Sequence, residues 1–418
     1  MPNLKTISLF TGAGGMDHGF EAAGFEMAVG VEIDDHAVAT IRANRTWPII
    51  HQDIHEVESS EILKVARLKV GEADLVIGGP PCQPFSKAGY WTNGDTKRLD
   101  DPRADTLFAF MRVIRDTLPK VFVLENVHGI SYSGKEEGLE LLQHLTEVIN
   151  REKGVNYTLS WRVLNATDYG VPQLRSRFFL IAHRDGCCFN FPSPTHLAAD
   201  DTHKSLFTSL SKPLLPLVTA WDAIGHLEHD PADDLRMRGR WAELLPSIPE
   251  GENYLWHTSR KGGLPLFGWR TRFWSFMLKL AKNRPSWTIQ AQPGPAVGPF
   301  HWDNRLLSVP ELTALQTFPT DLKFKGGRVA VQKQIGNAVP SLLAEVLARE
   351  IAHQFFNTIF VQDLTFAVKY NRPIPSPVHV QPVAAQFMGR LGDHADHPGT
   401  GKGPAYQKMK QPLLVATD

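Results

Sequence analysis

The 418-residue sequence predicts an α/β protein, in which a parallel sheet with helices on both faces is joined by a smaller, irregular region. Short apolar runs alternate with helical segments over the first 185 residues. The pattern then breaks into a stretch rich in Pro, Gly, Trp and His, and helical segments return after Val309. Strand–helix alternation is typical of parallel sheets covered on both faces. Ligand sites in such sheets lie at the carboxyl ends of the strands.

The individual elements follow from the lengths and patterns of these segments. The predicted strands are Thr6–Phe10, Ala28–Glu32, Leu75–Gly78, Val121–Glu125 and Phe178–Ala182. The predicted helices are Asp34–Asn44, Asp105–Leu118, Glu137–Arg151, Val309–Leu315 and Ser341–Phe356. The chain beyond about residue 358 is rich in Pro and Gly, and we expect it to be loosely ordered.

Composition limits the class of protein. Apolar residues make up 42% of the chain and charged residues 21%, which is ordinary for a soluble globular protein. Three cysteines argue against a disulfide scaffold and favour a reducing compartment, and the adjacent Cys187 and Cys188 have no spaced partners that would indicate a zinc site. We find no signal peptide and no apolar run long enough to span a membrane. Acidic and basic residues balance at 44 each, so net charge indicates no partner.

A glycine-rich turn, "FTGAGG", follows the first predicted strand. Gly12, Gly14 and Gly15 allow a tight turn and close approach of the backbone to a ligand. Glu32 ends the second strand 20 residues after Gly12, an offset that suits a ribose hydroxyl pair. Asp17 stands where the dinucleotide pattern G-x-G-x-x-G needs its third glycine, so a nucleoside cofactor without pyrophosphate fits better. The alternative is a glycine turn that only packs strand against helix.

The segment "GGPPCQPFSKAG" places a single thiol at a stiff corner after the strand Leu75–Gly78. Pro80 and Pro81 fix their φ angles and restrict the approach to Cys82. An exposed, rigid strand end is how a scaffold presents a nucleophile. The alternative is a buried, inert cysteine.

Charged residues at two further strand ends are candidates for the same site. Glu125 closes the apolar run "VFVLENV", where burial would raise its pKa and let it act as a general acid. The alternative is a helix-capping role. Arg175 and Arg177 enter a strand at period-two spacing and suit a phosphate or a base carbonyl, unless they form a solvated strand edge.

The irregular region carries an uneven distribution of charge. Residues 253–302 contain no Asp or Glu, whereas tryptophans recur through them. The positive residues in this window are Arg260, Lys261, Arg270, Arg272, Lys279, Lys282 and Arg284. A basic stretch with interleaved aromatics predicts nucleic-acid binding, and the alternative is a small aromatic core with a solvated face.

Together these segments resemble the family of DNA (cytosine-5-)methyltransferases. The motifs occur in the family's order: "LFTGAGGMDHGFEAAGF", "GGPPCQPFSKAG", "ENVHGI", "QLRSR", "RLLSVPELTALQTFP" and "QIGNAVP". The resemblance implies a Rossmann-like sheet that binds S-adenosylmethionine, with a smaller target recognition domain. It divides the chain into a catalytic lobe (1–185), the target recognition domain (186–310), a return to the catalytic lobe (311–358) and a C-terminal extension (359–418).

The resemblance also implies residue roles. Cys82 would add to the cytosine ring, Glu125 would protonate or hydrogen-bond its nitrogen 3, Arg177 would bind its carbonyl oxygen, and Arg175 would support the site or a phosphate. Around S-adenosylmethionine, the implied residues are Phe10, Gly12, Ala13, Gly14, Gly15, Glu32 at the ribose, Asp53 and Ile54 at the adenine, Pro80 and Asn337. Those expected to contact DNA are Ser86, Arg260, Lys261, Arg270 and Arg272.

Function and partners follow as expectations. We expect a cytoplasmic, bacterial, monomeric enzyme that acts on duplex DNA without a metal, with a cognate restriction endonuclease in the same system. A related enzyme acting on RNA would have a shorter variable region than this chain has. A catalytically dead DNA-binding module would not need Cys82, Glu125, Arg177 and Asn337, all of which are present. A nicotinamide-dependent dehydrogenase would need the missing third glycine.

Overall fold

The structure is a computed structural model, which describes residues 3–81, 105–131, 137–197, 213–228, 230, 233–270 and 273–395. Its centre is a seven-stranded sheet with the strand order β3-β2-β1-β4-β5-β7-β6. The strands are β1 (Leu4–Leu9), β2 (Phe25–Glu32), β3 (Ile49–His51), β4 (Leu75–Gly78), β5 (Val121–Val127), β6 (Thr158–Asn165) and β7 (Ser176–His183). All five predicted strands are present, so the α/β prediction is confirmed.

The sheet is parallel only in part. Strands β3, β2, β1, β4 and β5 run parallel, whereas β7 pairs antiparallel with β5 and β6 pairs antiparallel with β7. The antiparallel pairing brings the beginning of β7 to the edge where the five parallel strands end. This edge, the carboxyl edge, therefore receives side chains from both groups of strands.

Helices cover both faces of the sheet, as predicted. They are α1 (Gly15–Ala22), α2 (Asp35–Asn44), α3 (Ser59–Ala66), α4 (Asp105–Thr117), α5 (Glu137–Lys153), α6 (Ala220–Ile224), α7 (Val309–Leu315), α8 (Arg328–Asn337) and α9 (Ser341–Phe356). One apolar core includes side chains of α3, α4 and α5, and the other includes side chains of α1 and α9. The central strands are apolar on both sides because both of their faces are buried.

The chain forms two compact units. The sheet unit comprises Met1–Glu228, Pro285–Gln292 and Val309–Arg372, and the irregular unit comprises His229–Arg284, Pro293–Ser308 and Pro373–Asp418. These bounds differ from the four regions predicted from the sequence, because the chain crosses between the units several times. The part of the irregular unit that the structure describes contains turns and short 3₁₀ helices around an aromatic core.

The C-terminal extension does not match the expectation of a loosely ordered tail over its described part, up to residue 395. The buried Glu345 carboxylate of α9 accepts hydrogen bonds from the backbone N–H groups of Thr365 (2.8 Å) and Phe366 (3.0 Å). Phe387 is buried in the core of the irregular unit. Proline and glycine content predicts the lack of regular secondary structure, but not the tertiary contacts that order a chain.

The described residues include neither a membrane-spanning helix nor a cluster of metal-binding side chains. None of the helices in these ranges is long and apolar enough to cross a membrane. Within the same ranges, no group of three or more His, Cys, Asp and Glu side chains is placed to hold a metal ion.

Candidate active site

The glycine-rich turn lies at the carboxyl edge, between β1 and α1. Phe10, Gly12 and Gly14 all have positive φ angles, of 54°, 57° and 80°. Such a conformation is uncommon for a residue other than glycine, and at Phe10 it marks local backbone strain of the kind found at functional sites. A Cβ atom at Gly12 would meet no other atom within 4 Å, so this side of the turn is open.

Glu32 connects the ends of β1 and β2. Its Oε2 atom accepts a hydrogen bond from the backbone N–H of Gly12 (2.6 Å), and its Oε1 atom accepts from the N–H groups of Ile33 (2.9 Å) and Asp34 (2.8 Å). An ionised carboxylate has about four acceptor positions, so Glu32 can still accept from ligand hydroxyls. The interaction with Gly12 fixes the turn relative to β2.

Asp53 and Ile54 follow β3, the next strand along the carboxyl edge. Asp53 is partly exposed and accepts from both the backbone N–H (3.0 Å) and the Nδ1 atom (2.7 Å) of His55. These bonds lower the pKa of Asp53, so it stays ionised. Ile54 is buried, and its carbonyl accepts from Arg112 (2.6 Å). The hydrogen bonds with His55 therefore hold the Asp53 carboxylate at the carboxyl edge of the sheet.

The segment that leads to Cys82 is anchored by Asn126 of β5. The side-chain amide of Asn126 donates to the carbonyl of the buried Pro80 (3.1 Å) and accepts from the N–H of Val127 (2.8 Å). Cys82 and Ser86 lie outside the described residues, so their predicted roles stay predictions. The described chain places Pro80 and Pro81 immediately before Cys82, at the end of β4.

Glu125 and Arg177 form a nearly buried ion pair at the carboxyl edge. The Nε atom of Arg177 lies 2.8 Å from Oε1 of Glu125, and their side chains are 14% and 10% exposed. Burial raises the pKa of Glu125, and the positive charge of Arg177 opposes that rise. A Cβ atom at Gly79 would lie 2.8 Å from Oε2 of Glu125, so glycine is what admits the carboxylate here. The pair therefore lies next to Gly79, directly after β4.

Arg175 binds backbone carbonyls, whereas Arg177 pairs with Glu125. It is 1% exposed, and its Nη2 atom donates to the carbonyls of Gly336 and Ala338, both at 2.8 Å. Its Nη1 atom donates to the carbonyl of Ile289 at 3.5 Å. The period-two spacing predicted that Arg175 and Arg177 share a face, and the resemblance implied a supporting role for Arg175; the two side chains have different partners. The burial of Arg175 does not fit the phosphate contact that the sequence suggested.

Two buried amide side chains, Gln173 and Gln316, contact the same backbone segments as Arg175. Gln173 donates to the carbonyl of Leu315 (3.2 Å) and to the side chain of Gln316, and it accepts from the N–H of Ile289 (3.1 Å). Gln316 in turn donates to the carbonyl of Ala338 (2.6 Å). Gln316 carries no local signal in the sequence, because it is an isolated glutamine after a helix.

The "GNAVP" motif packs beside the glycine-rich turn, as the resemblance implied. A Cβ atom at Gly15 would lie 2.5 Å from the carbonyl oxygen of Val339, and the Ser341 hydroxyl donates to the Gly15 carbonyl (3.0 Å). Asn337 is exposed at the end of α8. The carbonyls on both sides of Asn337 are those that Arg175 holds.

Asp17, which occupies the position of the missing glycine, is buried on α1. It is 1% exposed, and its Oδ1 atom has no hydrogen-bond partner among the described residues. Burial raises the pKa of Asp17 to about 7, and a hydrogen bond with Ser8 opposes that rise. Ser8 also lies 3.1 Å from the Thr11 hydroxyl. A titratable group therefore underlies the glycine-rich turn, which the motif comparison alone does not reveal.

The basic residues predicted to contact DNA belong to the irregular unit, and not all of them are unopposed charges. Lys261 forms an ion pair with Glu252 at 2.9 Å, and the guanidinium of Arg260 lies 4.0 Å from the ring centre of Trp269. Arg270 is exposed, whereas Arg272 lies outside the described residues.

Two other basic side chains of the acid-free window are buried. Lys279 donates to Asn304 (2.6 Å), and Lys282 pairs with Glu250 at 2.6 Å. Glu250 and Glu252 precede the window, so a count along the chain overstates the free positive charge.

The chain is similar in sequence to known proteins over most of its length. The sequence model of the family described as "C-5 cytosine-specific DNA methylase" matches residues 4–353. The Type II methyltransferase M.SacI of Streptomyces achromogenes is 38% identical over 374 residues, which cover 84% of this chain and 93% of that protein.

Two further proteins are similar over part of the chain or in fold alone. The Type II methyltransferase M.AquIA of Picosynechococcus sp. is 45% identical over 229 residues, covering 53% of this chain and 88% of that protein. The Dnmt2 methyltransferase of S. pombe shares the fold, with a TM-score of 0.52 and 16% identity over 85% of this chain and 100% of that chain.

Proposed function

Because this chain belongs to the family of C-5 cytosine-specific DNA methylases, and is therefore a methyltransferase, we propose that it methylates the 5-carbon of a cytosine in duplex DNA at a specific sequence. The observation that carries the proposal is the buried Glu125–Arg177 pair, placed at the carboxyl edge beside the segment that leads to Cys82.

S-adenosylmethionine fits the glycine-rich turn. The open space at Gly12 allows close approach of a ligand, and the carboxylates of Glu32 and Asp53 at the ends of β2 and β3 suit ribose hydroxyls and an adenine amine. Phe10, Ala13, Gly14, Gly15, Ile54, Pro80 and Asn337 complete the proposed set. When bound, this cofactor supplies an electrophilic methyl group.

Cys82 provides the nucleophile in our proposal. The 5-carbon of cytosine is too weak a nucleophile on its own, and addition of the Cys82 thiolate to the 6-carbon converts the ring into an enamine. After methylation, loss of the 5-proton and release of the thiolate restore the aromatic ring. The Asn126–Pro80 hydrogen bond supports this role because it fixes the backbone two residues before Cys82.

Glu125 and Arg177 stabilise the adduct as it forms. Addition at the 6-carbon places negative charge on the ring, and a proton held by Glu125 at nitrogen 3 neutralises it. Arg177 donates to the base carbonyl and also orients Glu125. Arg175 acts as a positioning residue, because its hydrogen bonds fix the carbonyls around Asn337.

The target base has to leave the duplex for this chemistry, because the ring atoms are inaccessible within the base stack. We propose that the irregular unit binds the DNA through Arg260, Lys261, Arg270 and Arg272, and that Ser86 contacts the strand near the base. In a restriction–modification system this methylation protects host DNA from a cognate endonuclease. A monomer in the bacterial cytoplasm fits such a role.

Methyl transfer from tritiated S-adenosylmethionine tests the proposal. We expect label in duplex DNA of mixed sequence with the wild-type chain, and none with Cys82→Ala. Label in transfer RNA but not in duplex DNA would favour the RNA-acting alternative. Binding of duplex DNA without label in either substrate would indicate a recognition module, and the role proposed for Cys82 would be wrong.

A further inference from the structure

The C-terminal segment 373–395 is fixed to the irregular unit by hydrogen bonds along its length. The N–H of Val378 donates to Oε1 of Glu250 (2.7 Å), and the N–H of Gln381 donates to the Pro246 carbonyl (3.0 Å). Lys282, the partner of Glu250, donates to the Ser376 carbonyl (3.2 Å). Both members of the buried Lys282–Glu250 ion pair thus form hydrogen bonds with the backbone of this segment.

The same segment supports the chain that carries the predicted DNA contacts. The N–H of Gly392 donates to the Pro265 carbonyl (3.3 Å). A Cβ atom at Gly268 would lie 2.6 Å from the Ala395 carbonyl oxygen, so the two backbones are in close contact. Because Gly268 directly precedes Trp269 and Arg270, segment 373–395 packs against the backbone that leads into the predicted DNA contact Arg270.

An aromatic cluster anchors the segment beside that stretch. The ring of the buried Phe387 stacks on Trp241, with 5.9 Å between centroids and 10° between planes. Trp241 also contacts Phe267 at 5.3 Å. Aromatic pairs of this kind stabilise a fold beyond what the buried area alone contributes.

Two arginines lie over this cluster. The Arg390 guanidinium is 5.3 Å from the ring centre of Trp241 and 5.4 Å from that of Phe267. The Arg240 guanidinium is 4.4 Å from the same Trp241 ring. Both arginines are exposed, and among the described residues neither forms an ion pair with a carboxylate. Stacking restricts a guanidinium but leaves its N–H donors available to an anion.

We propose that segment 373–395 is part of the DNA-binding surface of the irregular unit, with Arg390 and Arg240 as contacts to backbone phosphates. This inference rests on the proposed function, since it assumes that the chain binds duplex DNA. Two guanidinium groups beside one ring, neither in an ion pair within the described chain, suit a polyanion. Neither arginine lies in the acid-free window, so the charge pattern of the sequence does not indicate them.

The salt dependence of DNA binding tests the proposal. Each phosphate contact contributes about 0.9 to the slope of log Kobs against log salt concentration. We expect Arg390→Gln to reduce this slope by about 1, and Arg240→Gln with Arg390→Gln to reduce it by about 2. Lys369→Gln removes an exposed charge from the extension within the sheet unit, and its slope should equal that of the wild type.

A purely structural role for Arg390 would lower the melting temperature and leave the salt slope unchanged. Such a result, with a wild-type protein that binds duplex DNA, would overturn this inference alone. A wild-type protein that binds no duplex DNA would overturn both this inference and the proposed function.

Substitution at the close backbone contact gives a second test, which changes no charge. Gly268→Ala should weaken DNA binding about tenfold or more and leave S-adenosylmethionine binding unchanged, because only the irregular unit is disturbed. Gly389→Ala is the matched control, since its Cβ atom would meet no other atom within 4 Å. Equal DNA affinity of the two variants would contradict a supporting role for the segment.

Discussion

The Nε atom of Arg177 lies 2.8 Å from Oε1 of Glu125, and the strand register explains why the two meet. Val127 of β5 is opposite Arg177 of β7, and Glu125 is opposite Phe179. Residues two apart on a strand share a face, so Glu125 and Arg177 are diagonal neighbours on one face. The antiparallel pairing of β5 and β7 thus places the Glu125 carboxyl group and its counter-charge, Arg177, at the carboxyl edge.

The first prediction concerns the pH dependence of activity. Burial raises the pKa of Glu125, and a general acid is active below its pKa and inactive above it. We expect the wild-type rate to fall as the pH rises through this raised pKa. Glu125→Gln cannot titrate, so its profile should lose this falling limb, and its rate should be about 10² to 10⁴ lower. Profiles of kcat/KM against pH measure both effects, and a falling limb retained in the variant would contradict the assignment.

The second prediction concerns Gly79. The added methyl group of Gly79→Ala would lie 2.8 Å from Oε2 of Glu125, and the ion pair with Arg177 restricts how far that carboxylate can move. We expect the single-turnover methylation rate to fall about 10- to 100-fold. Gly327→Ala is the control, because its Cβ atom would meet nothing within 4 Å. Equal methylation rates for Gly79→Ala and Gly327→Ala would show that the Glu125 carboxylate can move away from the added methyl group without loss of activity.

The third prediction separates Arg175 from Arg177. Arg175→Met would leave the buried carbonyl of Gly336 without this donor, at a cost of about 1–3 kcal/mol, whereas the Ala338 carbonyl would keep its hydrogen bond from Gln316. We expect a lower free energy of unfolding in denaturant titrations and weaker S-adenosylmethionine binding. Arg177→Met should lower the single-turnover rate more than cofactor affinity. The same pattern in both variants would contradict their separate roles.

The fourth prediction concerns Asp17 and stability. Its pKa of about 7 in the folded protein is above the ordinary value of 3.8, so the folded state binds more protons than the unfolded state between these values. Stability therefore decreases as the pH rises through this window. Relative to Asp17→Asn, the wild type should lose up to about 3 kcal/mol of unfolding free energy between about pH 5 and pH 8. If the unfolding free energies of the two proteins changed equally with pH, titration of Asp17 would not be the cause of the predicted loss.

The sequence predicts the central strands well because both of their faces are buried. Leu75–Gly78 is a continuous apolar run, and its predicted bounds match β4. Two strands were missed. Ile49–His51 has only three residues, and Thr158–Asn165 is an edge strand with polar and exposed positions. Short or half-exposed strands depend on their neighbours for definition, so local patterns do not identify them.

The predicted site residues show a similar limit. Motif order placed Glu125 and Arg177 at strand ends, but the different contacts of Arg175 depend on residues 289, 336 and 338, far along the chain. Likewise, the absence of Asp and Glu from residues 253–302 did not indicate that Lys282 pairs with Glu250 and Lys261 with Glu252. Local sequence indicates which groups are present, whereas tertiary contacts decide which of them are free.

Trapping of a covalent adduct tests the central claim most directly. Duplex DNA with 5-fluorocytosine at the target carries no 5-proton to lose, so the enzyme cannot release Cys82 after methylation. With S-adenosylmethionine present, we expect a complex of wild-type protein and DNA that survives denaturing electrophoresis, and none with Cys82→Ser. An adduct that persists in Cys82→Ser, or methylation of ordinary cytosine without any trapped adduct, would contradict the role of Cys82.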